Sequence, residues 1–170
     1  ETEIPVATER VEWRMTARRK KGISADPQTI METRLMPSPR EAAILDTEEM
    51  RASFLLDELF ITGEVCLVYT DLDRAVVGSA IPTTVPLELG NDDALKADFF
   101  CQRRELGILN FGDAGSVTVD GTAYELGKHD CLYIGRGSRE IRFASVTAES
   151  PAVFYLVSYP AHATHPTVKA

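Results

Sequence analysis

Histidine is scarce in this sequence, with His129, His162 and His165 the only three in 170 residues. A transition-metal centre draws several imidazole and carboxylate ligands to one point, and these three leave little to build one with. His129 reads as a surface residue beside a turn. His162 and His165, spaced i, i+3 between Pro160 and Pro166, form a loop pair with no third ligand in view, so no metal ligand is assigned. Cysteine is as thin: Cys66, Cys101 and Cys131 are odd in number and irregular in spacing. That fits neither a disulfide framework nor a C-x-x-C zinc pattern, and the three read as reduced core residues packing as small hydrophobes. No apolar run approaches the roughly 18 residues that a spanning helix needs. The start carries no apolar stretch of the signal-peptide kind, and the chain is expected in the cytoplasm. Positive charge is also in deficit, 18 Lys and Arg against 26 Asp and Glu, for a net charge of −8. Nucleic-acid phosphates call for clustered cations, so nucleic acid is excluded as a partner. An anionic small molecule would still need a local basic patch.

What is present is enough apolar residue, 44% of the chain, for one substantial core, and 170 residues leave little room for a second complete domain. Residues 1–30 differ from the rest. They carry Arg14, Arg18, Arg19, Lys20 and Lys21 with little apolar periodicity and read as a poorly ordered or extended arm, with Met31 as an alternative start and residues 31–170 as the single domain. Pro37, Ser38 and Pro39 make an extended break. Asp46 followed by Glu49 makes a capping box, and the spacing of Met50 and Phe54 predicts a short helix over Thr47–Leu56.

From Phe60 onward short apolar runs alternate with Gly, Pro and Asp. Strands are expected over Glu64–Tyr69, Ala75–Ile81, Val85–Leu89, Phe99–Arg104, Gly107–Asn110, Ser116–Val119, Thr122–Leu126, Cys131–Ile134, Glu140–Ser145 and Ala152–Tyr159. Their density, with no helical pattern between them, predicts an antiparallel barrel or sandwich. Asp120-Gly121, flanked by alternating apolar positions, predicts a two-residue hairpin whose central residues take positive φ.

The stretch from Phe99 to Phe143 resembles a cupin, which implies a mainly β, antiparallel, RmlC-like barrel with one or two short peripheral helices. Asp130-Cys131-Leu132-Tyr133-Ile134 running into Gly135-Arg136-Gly137 stands for the second cupin motif, with Glu140 at about the place of its histidine; Glu105 stands near the glutamate place of the first. Both carboxylates are therefore candidates for the barrel lumen. They would serve there as part of an ion-pair network or, as the sharper option, as an acid and base pair with pKa values pushed apart by burial.

From Leu45 to Thr167 the phrases LDTEEMRASFLLDELF, YTDLDRAVVG, RRELGILNFGDAGSVTVDG, YELGKHDCLYIGRGSREIRFAS and YPAHATHPT resemble the 5-keto-4-deoxyuronate isomerase family of pectin breakdown. The resemblance implies an N-terminal cupin half without a cofactor of its own, a second half holding zinc, a homo-oligomer, and a uronate-derived small molecule as substrate of the whole enzyme. No zinc ligand carries over to this chain. Arg74 in DLDRAVVG and Arg103 with Arg104 in RRELG are the candidates for contacting a substrate carboxylate or an interface, with a structural ion pair as the expected role of each. A free-standing cupin that binds a sugar acid or a protein partner without catalysis is the alternative.

Overall fold

The computed structural model describes residues 29–170. The arm expected over residues 1–30 lies outside the described residues except for its last two, which open a strand. Eleven strands are described: β1 (Thr29–Arg34), β2 (Val65–Thr70), β3 (Val76–Ala80), β4 (Leu87–Glu88), β5 (Arg104–Asn110), β6 (Gly115–Val119), β7 (Thr122–Leu126), β8 (Cys131–Ile134), β9 (Ile141–Ser145), β10 (Phe154–Pro160) and β11 (Val168–Lys169). They form a seven-stranded sheet in the order β1-β2-β3-β10-β5-β8-β11 and a four-stranded sheet in the order β4-β9-β6-β7. The architecture is mainly β and largely antiparallel as expected of the cupin type, with short helices at the periphery, but among the described residues its strands form two sheets around one core and not the closed barrel that was expected.

Alternation explains the packing. Along β5 the even-numbered residues Arg104, Leu106, Ile108 and Asn110 are buried and the odd-numbered ones half-buried, the period-two pattern of a strand with one face in a core. β10 does the same with Phe154, Leu156 and Ser158, and β6 with Gly115, Val117 and Val119. These inward faces meet in one cluster that includes Leu106, Ile108, Val117, Phe143 and Phe154. Phe143 of the smaller sheet lies 5.5 Å, centroid to centroid, from Phe154 of the larger. Each such fully buried side chain contributes about 1.5–3 kcal/mol of transfer free energy. At the tip of the β6–β7 hairpin Asp120 and Gly121 take φ of 48° and 84°, the predicted turn.

The structure differs from the sequence reading at β1, at the two-residue β11 and at Phe99–Arg104, whereas the short helix expected over Thr47–Leu56 is present over Thr47–Phe54. β1 was not expected; it pairs parallel with β2 from Thr29↔Val65 to Arg34↔Thr70, and the 30-residue span between them supplies the long crossover that parallel pairing requires. Two helices lie in that span, α1 (Pro39–Ala42) and α2 (Thr47–Phe54), the second with the reciprocal Asp46–Glu49 capping box. Met50 and Phe54 share a face of α2 but stay 45% and 47% exposed. The third difference is the strand expected over Phe99–Arg104. Phe100–Gln102 forms a 3-10 turn instead, with the adjacent residues Phe100 and Cys101 both buried.

Candidate functional site: an arginine-lined cleft

β5 begins at Arg104 directly opposite Pro160, the last residue of β10. At this end of the larger sheet β2 finishes and β3 starts, and the 3-10 turns Leu72–Arg74, Asp93–Leu95 and Phe100–Gln102 gather around it. The even register of β5 turns the Arg104 side chain inward, where only 6% of the residue is exposed. Its guanidinium is tightly held. Nε donates to Ser158 Oγ at 2.9 Å, while Nη2 donates to the Arg74 carbonyl at 2.7 Å and the Ser158 carbonyl at 3.1 Å. Ser158 Oγ donates its own proton to the Glu105 carbonyl at 2.5 Å, which leaves its lone pair for Arg104. The Phe100 ring lies under the guanidinium, 5.9 Å from Cζ to centroid, within cation–π range.

Every partner of this cation is neutral. Among the described residues no carboxylate lies within ion-pair distance of Arg74, Arg103 or Arg104, so the structural ion pairs expected for these arginines are not formed there. Burial lowers the Arg104 pKa from its ordinary value; Tyr69 and Cys101 push it back up and Arg74 lowers it further. A guanidinium starting so high stays protonated, and among the described residues the charge is left without an anion. Arg104, Arg74 and Arg103 line a cleft of about 140 Å³ with Tyr69, Leu95 and Phe100. Asp73 and Arg74 both sit at φ 53°, a left-handed conformation that costs about 1–2 kcal/mol for each L-residue. That turn carries the Arg74 carbonyl to Arg104 and the Arg74 side chain to the cleft.

The other candidate residues do not converge here. Glu105 is on the outward register of β5, where it accepts from Tyr133 Oη at 2.9 Å; desolvation, reinforced by Glu105, raises the Tyr133 pKa. Glu140 precedes β9 on the other sheet, its backbone N–H held by Asp120 Oδ1 at 2.8 Å, and its side chain, 67% exposed, lies 4.0 Å from Arg142. It faces solvent, not the lumen, because Ile141 and Phe143 take the inward register of β9. The two carboxylates therefore make no acid and base pair. His129, His162 and His165 are all exposed, and the His165 carbonyl packs against Gly135, where a Cβ would overlap it. Among the described residues no three His, Cys, Asp or Glu side chains cluster closely enough to hold a metal. The cysteines are free, and burial pushes the thiols of Cys66 and Cys101 up to about 11 and about 12. A larger open depression of about 530 Å³ between α1 and α2 offers only Glu41 and Glu49 as charges. Both already accept the N–H of their capping residues.

Sequence reasoning found the three arginines and missed what holds them. The missed residues are Ser158, Tyr69 and Phe100; alternation along Phe154–Pro160 could have placed Ser158 inward, and nothing local ties the others to the cleft. Also missed was Asn110, fully buried at the far end of β5. It donates to the carbonyls of Asp113, Leu126 and Gly127 and accepts from the N–H groups of Gly112 and Val153.

No family model matches the sequence. Curated proteins do match it, over most of this chain. It is 50% identical over 141 residues to a 4-deoxy-L-threo-5-hexosulose-uronate ketol-isomerase from Formosa agariphila, across 83% of this chain and 50% of that protein. Proteins of the same name from Lachnoclostridium phytofermentans and Escherichia coli are 48% and 42% identical over 138 and 141 residues, or 81% and 82% of this chain and 50% and 51% of theirs. The chain thus spans about half the length of the curated relatives it matches, and the resemblance seen in its phrases is one of homology. Solved structures similar to it include a cupin protein from Bacteroides fragilis, 20% identical with a TM-score of 0.38 over 54% of this chain and 70% of that one. The EutQ protein of Clostridium difficile is 16% identical, with a TM-score of 0.40 over 58% and 63%. Among the described residues no helix is long and apolar enough to cross a membrane.

Proposed function

We propose that this chain, homologous to half the length of the ketol-isomerases, is the N-terminal half of a 5-dehydro-4-deoxy-D-glucuronate ketol-isomerase. Its own part is structural and oligomer-forming. The single observation that carries the reading is the match itself, 42–50% identity across 137–141 residues and about half of each relative. The reaction belongs to pectin and uronate breakdown, in the cytoplasm, a compartment that suits free thiols. It moves a proton between adjacent carbons of an aldose and ketose pair, for which a base, a stabiliser of the developing oxyanion and a cation for the substrate carboxylate are needed. Zinc in the second half would supply the Lewis acid. In this half the separation of Glu105 from Glu140 speaks for scaffolding over proton transfer.

The oligomer-forming role draws support from the outer face of the larger sheet. Val77, Leu109, Tyr133, Tyr155 and Val157 stand there half-buried beside exposed Phe111 and Tyr159. An antiparallel sheet facing water ordinarily presents polar residues on that side. A second copy of the chain is the proposed partner.

One observation, the unpaired arginines, favours the second reading of a free-standing cupin that binds a sugar acid without catalysis. The experiment is to assay the deoxyuronate isomerisation with this chain alone and with it joined to the C-terminal half of the Formosa agariphila relative. Turnover only in the joined protein supports the proposal. Turnover by this chain alone, or a joined protein that folds, loads zinc and stays inactive, counts against it.

A further inference from the structure

The cleft at the Arg104 end of the sandwich has the chemistry of a binding site that the scaffold role leaves unexplained. A buried arginine in a structural role is ordinarily neutralised by a carboxylate, because an unpaired buried charge is costly. Arg104 is 6% exposed and is held by one hydroxyl, two carbonyls and an aromatic ring. Among the described residues its Nη1 donates to nothing, yet no fully buried side-chain polar atom lacks a partner. Nη1 is therefore reached by solvent, from the cleft that Arg104 lines. Arg74 and Arg103, both exposed and on the same cleft, meet no carboxylate among the described residues, in a chain whose net charge is −8. The left-handed pair Asp73 and Arg74 fixes the turn that brings two of these cations together, and strain of this kind persists where the surroundings over-determine it. The remaining walls are the apolar Ala94, Leu95, Ala97 and Pro160 together with Tyr69, which adds a phenol.

We propose that this cleft binds the carboxylate of a small organic acid of sugar-acid size, with Arg74 and Arg103 forking its oxygens and Arg104 Nη1 contributing a fixed charge at the back. The volume of about 140 Å³ admits one such group with part of its carbon skeleton, a water claiming about 30 Å³ of liquid. Planar guanidinium forks match the carboxylate geometry. Ser158 and Phe100 are positioning residues that aim Arg104. The proposal stands on the cleft alone and does not depend on the isomerase reading.

The test is titration calorimetry of the full 170-residue chain with D-galacturonate, D-galactose and inorganic phosphate at low and high salt. Galacturonate is expected to bind, more weakly at high salt, and galactose not at all. Arg74→Gln and Arg103→Gln, both at the surface, are each expected to weaken binding about tenfold to a hundredfold, as loss of a charge-assisted hydrogen bond does, with the thermal midpoint unchanged. Arg104→Lys should weaken binding and lower the midpoint together, so the two surface variants keep the test sound if it fails to fold. No binding of galacturonate, equal binding of galactose, tighter binding of phosphate, or indifference to both surface substitutions would overturn the proposal.

Discussion

Replacing Asn110 by alanine should be among the most damaging single changes in this domain. Asn110 is fully buried, and its amide ties together three chain segments. Nδ2 reaches the carbonyls of Asp113, Leu126 and Gly127 at 2.7, 3.1 and 3.3 Å, and Oδ1 receives the N–H groups of Gly112 and Val153, both at 3.1 Å. Leu126 ends β7 in the smaller sheet and Val153 precedes β10 in the larger, so one side chain stitches the two sheets together. Carbonyls on one side and N–H groups on the other admit a single amide orientation. Two Nδ2 protons and two Oδ1 contacts amount to four hydrogen bonds at about 1 kcal/mol net each, or about 4 kcal/mol in all. Water entering the vacated space could return about 1 kcal/mol of that. With a urea dependence of about 2 kcal/mol per molar for a domain of this size, the midpoint of urea unfolding should fall by roughly 1.5–2 M with its slope unchanged. Asn110→Asp should cost more still, since it places an anion against three carbonyls. A loss under about 1 kcal/mol for Asn110→Ala would refute the reasoning, because the segments would then be held by the sheets without the amide.

Two glycines separate backbone strain from steric exclusion. Gly121 has φ +84° with open space around it and Gly135 packs against the His165 carbonyl; Gly121→Ala should cost about 1 kcal/mol in thermal unfolding, and Gly135→Ala about 3 kcal/mol or more with the Pro160–Pro166 segment displaced. A larger loss at Gly121 than at Gly135 would reverse that assignment. The Lys169 ammonium at 2.8 Å, aided by the Gly127 N–H, holds the Asp130 carboxyl below its ordinary 3.8. A folded-state pKa that is depressed contributes stability above the unfolded value and loses it as pH falls through the folded one. The amides of β11 should therefore lose exchange protection below about pH 3.8, and Asp130→Asn should remove that pH step; a step that survives the substitution would contradict the assignment. Sedimentation should give a dimer or larger species at micromolar concentration, and Val157→Glu on the outer sheet face should shift it to monomer. A wild-type chain that sediments as a monomer would remove the oligomer-forming part of the account.

Much of the fold was legible because its causes are local. The Asp120-Gly121 turn, the Asp46–Glu49 capping box and the alternation in β5, β6 and β10 each follow from a few neighbouring residues. β1 was not legible, since TIMETR has no apolar alternation and becomes a strand only beside β2. Phe99–Arg104 was not legible as a turn, since adjacent buried residues occur both in the 3-10 turn Phe100–Gln102 and in β2. Glu140 could have been placed correctly: in Glu-Ile-Arg-Phe the apolar pair takes one face and the charges the other. The arginines of the cleft were visible as a motif, but whether they met carboxylates or neutral groups depended on contacts such as Arg104 to Ser158, 54 residues apart.

The most direct test of the claim that this half carries no proton transfer, together with the proposal that its cleft takes a carboxylate, is proton NMR of the deoxyuronate in deuterated water with a stoichiometric amount of this chain. The account predicts that resonances near the substrate carboxylate shift on binding, while the carbon-bound protons keep their full intensity and no ketose or aldose product appears. Loss of a carbon-bound proton signal to deuterium, or product formed by this chain alone, would show that the proton-transferring groups reside here and would contradict it.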